Sequence, residues 1–180
     1  MTANPVVLIV DDEPDTVRLV RKILQADGCQ ITEAADGEHA LELYRQTPPD
    51  LILLDIILPR RDGLDILREI RSRDATTGVI MVSALTSERM TIDAMLAGAD
   101  DYISKPFPLR EMRARIRQVL EKTGLRRQNA ELQAQLQRAN ARIRQLVERY
   151  VPAQVTAEFL DSPEPPSLGG KRQELTILYA

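Results

Sequence analysis

Leu51-Ile52-Leu53-Leu54-Asp55 is a run of four apolar residues ending in one carboxylate, with Pro59, Asp62 and Gly63 close behind it. Unbroken apolar character marks a strand covered on both faces, as in a parallel sheet, where the in-out alternation of a half-exposed strand is lost. Such a strand delivers its last residue to the carboxyl edge of the sheet, and open α/β sheets bind ligands at that edge. Asp55 is therefore presented at a rim. The runs on either side decide what it meets there.

Upstream, Val6 to Val10 is another short apolar run, and it too ends in acids: Asp11, Asp12 and Glu13. Pro14 suits the first turn of a helix, Val17, Val20, Ile23 and Leu24 recur at helical spacing, and Gly28 stops them. Gln30 to Ala34 reads as a weaker strand. Asp36-Gly37 then opens a helix carrying Ala40, Leu41 and Leu43, which Pro48-Pro49 closes.

Downstream of Asp55, Leu64, Ile66, Leu67 and Ile70 predict a third helix, and Val79 to Val82 a buried strand ending at Ser83-Ala84. Ile92, Met95 and Leu96 mark a fourth helix stopped by Gly98. Asp101 to Ser104 is a short strand leading into Lys105-Pro106-Phe107, and Leu109, Met112, Ile116 and Val119 mark a fifth helix. Strand and helix alternate throughout, which predicts a (βα)5 doubly wound parallel sheet of five strands. Right-handed crossovers bring every strand's carboxyl end to one rim. Asp11, Asp12, Asp55, Ser83 and Lys105 collect there.

Beyond Leu120 the period changes. Leu125, Asn129, Leu132, Leu136, Ala139, Ile143, Leu146 and Tyr150 are spaced alternately four and three apart, the seam of a coiled coil rather than the broader stripe of a globular helix. Asn129 falls at an a position, where a polar residue fixes register and favours a parallel pair. The apolar set of the preceding helix does not continue in this register, so a joint is expected at Thr123-Gly124, with Gly124 as the candidate hinge. Pro152 ends the seam, Asp161 to Pro166 reads as a stiff linker, and Leu175 to Tyr179 as a strand that begins where the chain ends. The expected domains are 1–122, 123–151 as a parallel coiled-coil helix, and 152–180 as a linker with the first strand of a further, truncated domain.

Composition bounds the function. The 180 residues carry 24 basic and 27 acidic side chains for a net charge of −3, which offers no electrostatic case for nucleic acid. One cysteine, Cys29, excludes an internal disulfide and suits a reducing compartment; it is expected in the core. No apolar run reaches membrane-spanning length and no signal peptide opens the chain, so a cytoplasmic protein without a membrane partner is expected. His39, the single histidine, reads as solvated surface.

Three carboxylates on one rim repel one another unless a cation sits among them. A hard divalent ion, Mg2+ for preference, meets that need through one or two carboxylates and keeps waters for a phosphate. Lys105 adds a compact positive charge for a phosphoryl oxygen and Ser83 a hydroxyl donor. Together they make a phosphoryl-transfer site with Asp55 as nucleophile, working by positioning and charge neutralisation.

VVLIVDDE from residue 6, LILLDIILPRRDG from 51, VIMVSA from 79 and AGADDYISKPF from 97 resemble the receiver domain of two-component response regulators. The resemblance implies a flavodoxin-like fold with strand order 2-1-3-4-5. It also implies Asp55 as phosphoacceptor, Asp11 and Asp12 as magnesium ligands with the backbone carbonyl of Ile57, Ser83 as switch hydroxyl, Lys105 as the phosphate-contacting lysine, Tyr102 as switch aromatic, and a cis Lys105-Pro106 bond. The phosphodonor would be a sensor histidine kinase. ERYVPAQVTAEFL from 148 and LGGKRQELTILYA from 168 are similar to the entry of a class III adenylate/guanylate cyclase domain. That likeness implies a cyclase output beyond this chain, controlled by a homodimer, and no cyclase activity within it.

Other classes compete with this reading. A stand-alone phosphorylation-controlled dimerisation module is an alternative that the same residues allow. A magnesium aspartyl phosphatase of the haloacid-dehalogenase type needs an acid two residues after its nucleophile, where this chain has Ile57. A DNA-binding regulator is disfavoured, because the region after Leu120 shows one heptad helix and no helix-turn-helix pattern.

Overall fold

The computed structural model describes residues 4–150. The run Leu51–Leu54 forms β3, and all four of its side chains are at most 2% exposed. On one side β3 pairs in parallel with β1 (Val6–Val10), which pairs with β2 (Gln30–Ala34). On the other it pairs with β4 (Gly78–Ser83), which pairs with β5 (Asp101–Ser104). The order β2-β1-β3-β4-β5 is the expected one. Adjacent side chains along a strand point to opposite faces, so the sheet supports two cores. Leu8, Val10, Ile52, Leu54, Val79 and Met81 pack on α2 (Gly37–Gln46), α3 (Gly63–Arg71) and α4 (Glu88–Leu96). Val7, Ile9, Leu51, Leu53, Ile80 and Val82 pack on α1 (Pro14–Ala26) and on the first turns of α5 (Leu109–Tyr150). Each fully buried Leu or Ile contributes roughly 1.5–3 kcal/mol.

Helix starts follow local chemistry. Pro14 takes the first position of α1, and Asp36, Asp62 and Ser87 cap α2, α3 and α4 by accepting amide hydrogen bonds. Gly28, at φ 76°, turns the chain out of α1 towards β2. Gly63 serves packing instead: its N–H bonds the Ile56 carbonyl at 2.9 Å, and a Cβ there would run into the Asp55 carbonyl. Gly63→Ala is expected to destabilise the protein by about 1–3 kcal/mol through this overlap. Equilibrium urea unfolding measures it, and an unchanged midpoint would refute the clash.

Ile92, Met95 and Leu96 lie in α4 as expected, although they are 50, 46 and 82% exposed and Ala94 makes the core contact. Two expectations need correction. Cys29 is half-buried at the margin of the α1–α5 core rather than inside it. The helix is not broken at Thr123-Gly124, because α5 runs through both residues. The change of period is a change of face. Met112, Ile116, Val119 and Thr123 are buried against the sheet, whereas Leu125 is 63% exposed. Gly124 lies on the open side, with free space where a side chain would stand.

Two compact units divide the described chain between Glu131 and Leu132. In the second, Leu132, Leu136, Ile143 and Leu146 are 51–62% exposed and form an apolar stripe along a single helix. The stretch 151–180, with its expected linker and cyclase strand, lies outside the described residues. Among the described residues no helix is long and apolar enough to cross a membrane.

Candidate functional site

Asp11 leaves β1 and Asp55 leaves β3 on neighbouring strands, so both carboxylates emerge side by side at the same rim. Their residues are 5 and 6% exposed. The loop backbone holds each one: Asp11 Oδ1 accepts the Glu13 N–H at 2.9 Å, and Asp55 Oδ1 accepts the Ile57 N–H at 3.1 Å. Lys105 follows β5 and reaches back across the rim. Its Nζ lies 2.6 Å from Asp11 Oδ2 and 2.7 Å from Asp55 Oδ2, with Glu13 at 3.7 Å. The Lys105-Pro106 peptide is cis.

Asp12 is exposed at the mouth, and one carboxylate oxygen from each of Asp11, Asp12 and Asp55 falls within 4.8 Å of the others. One ammonium against three carboxylates leaves the charge unbalanced. Burial raises the Asp11 pKa even though the Lys105 and Glu13 hydrogen bonds oppose it. Burial works against the charged form of Lys105 as well, but its bonds to Asp11 and Asp55 prevail and hold it above its ordinary value. All-oxygen donors with surplus negative charge fit a hard divalent cation.

The other expected residues form an adjoining chain of contacts. Ser83 closes β4, fully buried, and its Oγ accepts the Leu85 N–H at 3.4 Å. The Tyr102 ring packs half-buried against the core, and its hydroxyl donates to the Leu85 carbonyl. Burial raises the Tyr102 pKa. Ser83 and Tyr102 thus meet at Leu85, one strand away from Asp55. The Ile57 side chain is 56% exposed, and this residue touches the site through its amide.

Sequence reading missed Arg60. It adopts φ 70°, and its guanidinium pairs with Asp36 and with Glu38 at 3.5 Å, tying the loop after Asp55 to the start of α2. No periodic pattern signals a residue that acts by tethering one loop to another. Its place in PRRDG is the one available hint. His39 is exposed, as expected.

Comparisons with known proteins agree with this geometry. The profile of the family described as "Response regulator receiver domain" matches residues 7–117. "Probable transcriptional regulatory protein TcrX" of Mycobacterium tuberculosis is 39% identical over 119 residues, covering 66% of this chain and 51% of its own. "Transcriptional regulatory protein BaeR" of Escherichia coli is 43% identical, covering 66% of this chain and 49% of its own. This chain therefore spans about half the length of those curated relatives. Among solved structures, the receiver domain of Francisella response regulator 1452 superposes with a TM-score of 0.63 at 33% identity, over 67% of this chain and 99% of that one. NtrX from Brucella abortus gives 0.67 at 34%, over 72% and 29%. A five-stranded 2-1-3-4-5 sheet, an acidic rim bridged by Lys105 and a profile match across most of the sheet point the same way: the chain belongs to the response regulator receiver domain family.

Proposed function

We propose that Asp55 accepts a phosphoryl group from a sensor histidine kinase and that this switches an output carried beyond the receiver. The observation that carries the reading is the buried Asp55 carboxylate sharing one ammonium with Asp11 while Asp12 stands within 4.8 Å. An Asp55 oxygen forms the new O–P bond as the phosphohistidine N–P bond breaks, and the leaving imidazole takes up a proton. Lys105, already 2.7 Å from Asp55, stays beside the acceptor to offset charge on the phosphoryl oxygens. Asp11, Asp12, Asp55 and the Ile57 carbonyl would hold Mg2+, which supplies charge neutralisation when bound. Ser83 and Tyr102, joined through Leu85, are the groups whose rearrangement would report the modification.

The output half of the proposal divides the chain into a receiver at 1–122, a signalling helix at 123–151 and the start of a further domain at 152–180. The seam Leu125, Asn129, Leu132, Leu136, Ala139, Ile143, Leu146 and Tyr150 would pair two copies in parallel. The exposure of its leucines and of Ile143 supports a partner for that stripe. A class III adenylate or guanylate cyclase would be the controlled output, on the likeness of residues 148–160 and 168–180, and the chain itself would turn over no substrate. A second reading, a nucleic-acid output, is favoured by the transcriptional regulators among the relatives.

The test is incubation of the chain with acetyl phosphate and Mg2+, followed by peptide mapping and sedimentation velocity. One phosphoryl group on the peptide containing Asp55, and a dimer lost on replacing Leu132 and Leu136 by lysine, are expected. An unlabelled protein, or label on another acid, would sink the phosphoacceptor reading. A monomer at all concentrations, phosphorylated or not, would sink the seam.

A further inference from the structure

The extended helix is fastened to the sheet at the edge opposite the acidic site. Asp50 precedes β3, Thr77 precedes β4 and Asp100 precedes β5, so all three stand at the amino ends of their strands. The Asp100 side chain is 3% exposed. Its Oδ2 accepts the Val79 N–H at 3.1 Å and Arg71 at 3.0 Å, and its Oδ1 takes Arg126 at 2.7 Å and Lys122 at 3.3 Å. Arg127 pairs with Asp50 and donates to the Pro49 carbonyl at 2.7 Å. Between these cations Thr123 is buried, and α5 approaches β4 so closely that a Cβ on Gly78 would stand 2.7 Å from Thr123 Oγ1.

These contacts fall where the apolar packing of α5 on the sheet ends: among the described residues Val119 is its last buried apolar residue, with Leu120 partly buried beside it. Beyond it, charge does the holding. Lys122 would occupy the next seam position upstream of Leu125, but it is turned to Asp100 instead. At about 100° per residue, Leu125 lies about 200° around the helix from Thr123, on the side facing away from the sheet. The clasp therefore determines where the exposed seam begins, at Leu125.

One short strand spans the distance between clasp and site. β5 has four residues, with Asp100 immediately before it and Lys105 immediately after. A shift of Lys105 on modification of Asp55 would be felt at Asp100 along a hydrogen-bonded strand about 13 Å long.

We propose that Lys122, Arg126 and Arg127 clasp the start of the extended helix to Asp100 and Asp50, and that β5 couples this clasp to the state of Asp55. The coupling rests on the phosphoacceptor reading above, and the clasp does not. The removal of Arg126 and Arg127 leaves Asp100 with Lys122, Arg71 and the Val79 amide, and Asp50 with the Val6 amide at 2.7 Å, so both acids keep partners in the variant.

The experiment is amide hydrogen exchange on the full chain carrying R126Q and R127Q together, beside the native chain. Both are measured at a concentration where sedimentation gives them the same oligomeric state. Without a phosphodonor, amides of 123–131 are expected to exchange at least tenfold faster in the variant, with the strands and 112–119 unchanged. Equal exchange at 123–131 overturns the clasp, and so does a uniform acceleration that includes the strands, which would assign the arginines to global stability. With acetyl phosphate and Mg2+, exchange at 120–131 is expected to change at least threefold in the native chain and not in the variant. A labelled Asp55 with unchanged native exchange overturns the coupling. An unlabelled Asp55 overturns the phosphoacceptor reading, a failure kept distinct because the first comparison uses no phosphodonor.

Discussion

An Asp55→Asn chain incubated with acetyl phosphate and Mg2+ is expected to take up no phosphoryl group at residue 55, a loss of the whole signal seen in the native protein. A carboxamide is uncharged and a poor nucleophile, and it is also a weaker ligand for a hard cation. The variant should fold. The carboxamide keeps an oxygen for the Ile57 amide, and Lys105 keeps its 2.6 Å partner Asp11. Removing one of three clustered carboxylates relieves repulsion, so the metal-free variant should unfold at a urea concentration no lower than the native chain. Added Mg2+ should stabilise it less, because one charged ligand is gone. Intact-protein mass spectrometry with urea unfolding reads both effects. Label retained at the native level would place the acceptor elsewhere.

Lys105→Met is expected to cost about 2–3 kcal/mol at pH 8 in chelator, somewhat below the roughly 3–5 kcal/mol for breaking a fully buried pair, because this rim opens to water. The change strands the Asp11 and Asp55 carboxylates, which are 4 and 8% exposed, with no ammonium between them. The pH dependence follows from Asp11. Burial already lifts its pKa above 3.8, and the Lys105 hydrogen bond and charge restrain that rise. Without Lys105 the pKa climbs further. A carboxyl with a raised folded pKa holds its proton in the folded state where the unfolded chain has lost it. Stability is then greatest below the unfolded pKa and declines as pH rises through the folded one. The deficit of the variant should therefore shrink on acidification from pH 8 towards pH 5, and Mg2+ should partly offset it at pH 8. Urea midpoints at both pH values, with and without metal, measure this. A variant as stable as native at pH 8 in chelator would show that Lys105 does not balance these acids.

Much of the fold could be read from spacing alone, for a physical reason. Leu51 to Leu54 can lose alternation only if both faces are covered, and Val17, Val20 and Leu24 or Ile66, Leu67 and Ile70 can form one stripe only on a helix. Burial follows such patterns because the hydrophobic effect is non-directional and scales with area. Where the pattern misled, an outward-facing apolar group was the cause. Ile92, Met95 and Leu96 have the composition of a core stripe, but Ala94 is the residue of α4 turned to the sheet. Likewise, the shift of period near Gly124 reads as a break, although a helix can pass from one apolar face to another without interruption.

The sequence by itself determined the order of strands and helices, the acids and lysine at the strand ends, and the existence of a heptad stripe after Leu120. Each of these depends on residues near one another in the chain, whose spacing has a fixed geometric meaning. Tertiary structure alone decided that Lys105 Nζ sits between Asp11 and Asp55, that Ser83 and Tyr102 meet at Leu85, that Arg60 ties its loop to Asp36, and that Lys122, Arg126 and Arg127 converge on Asp100 and Asp50. Ion pairs and hydrogen bonds depend on distances of a few ångströms between side chains far apart in sequence. No periodicity encodes those distances until the strands have been laid side by side.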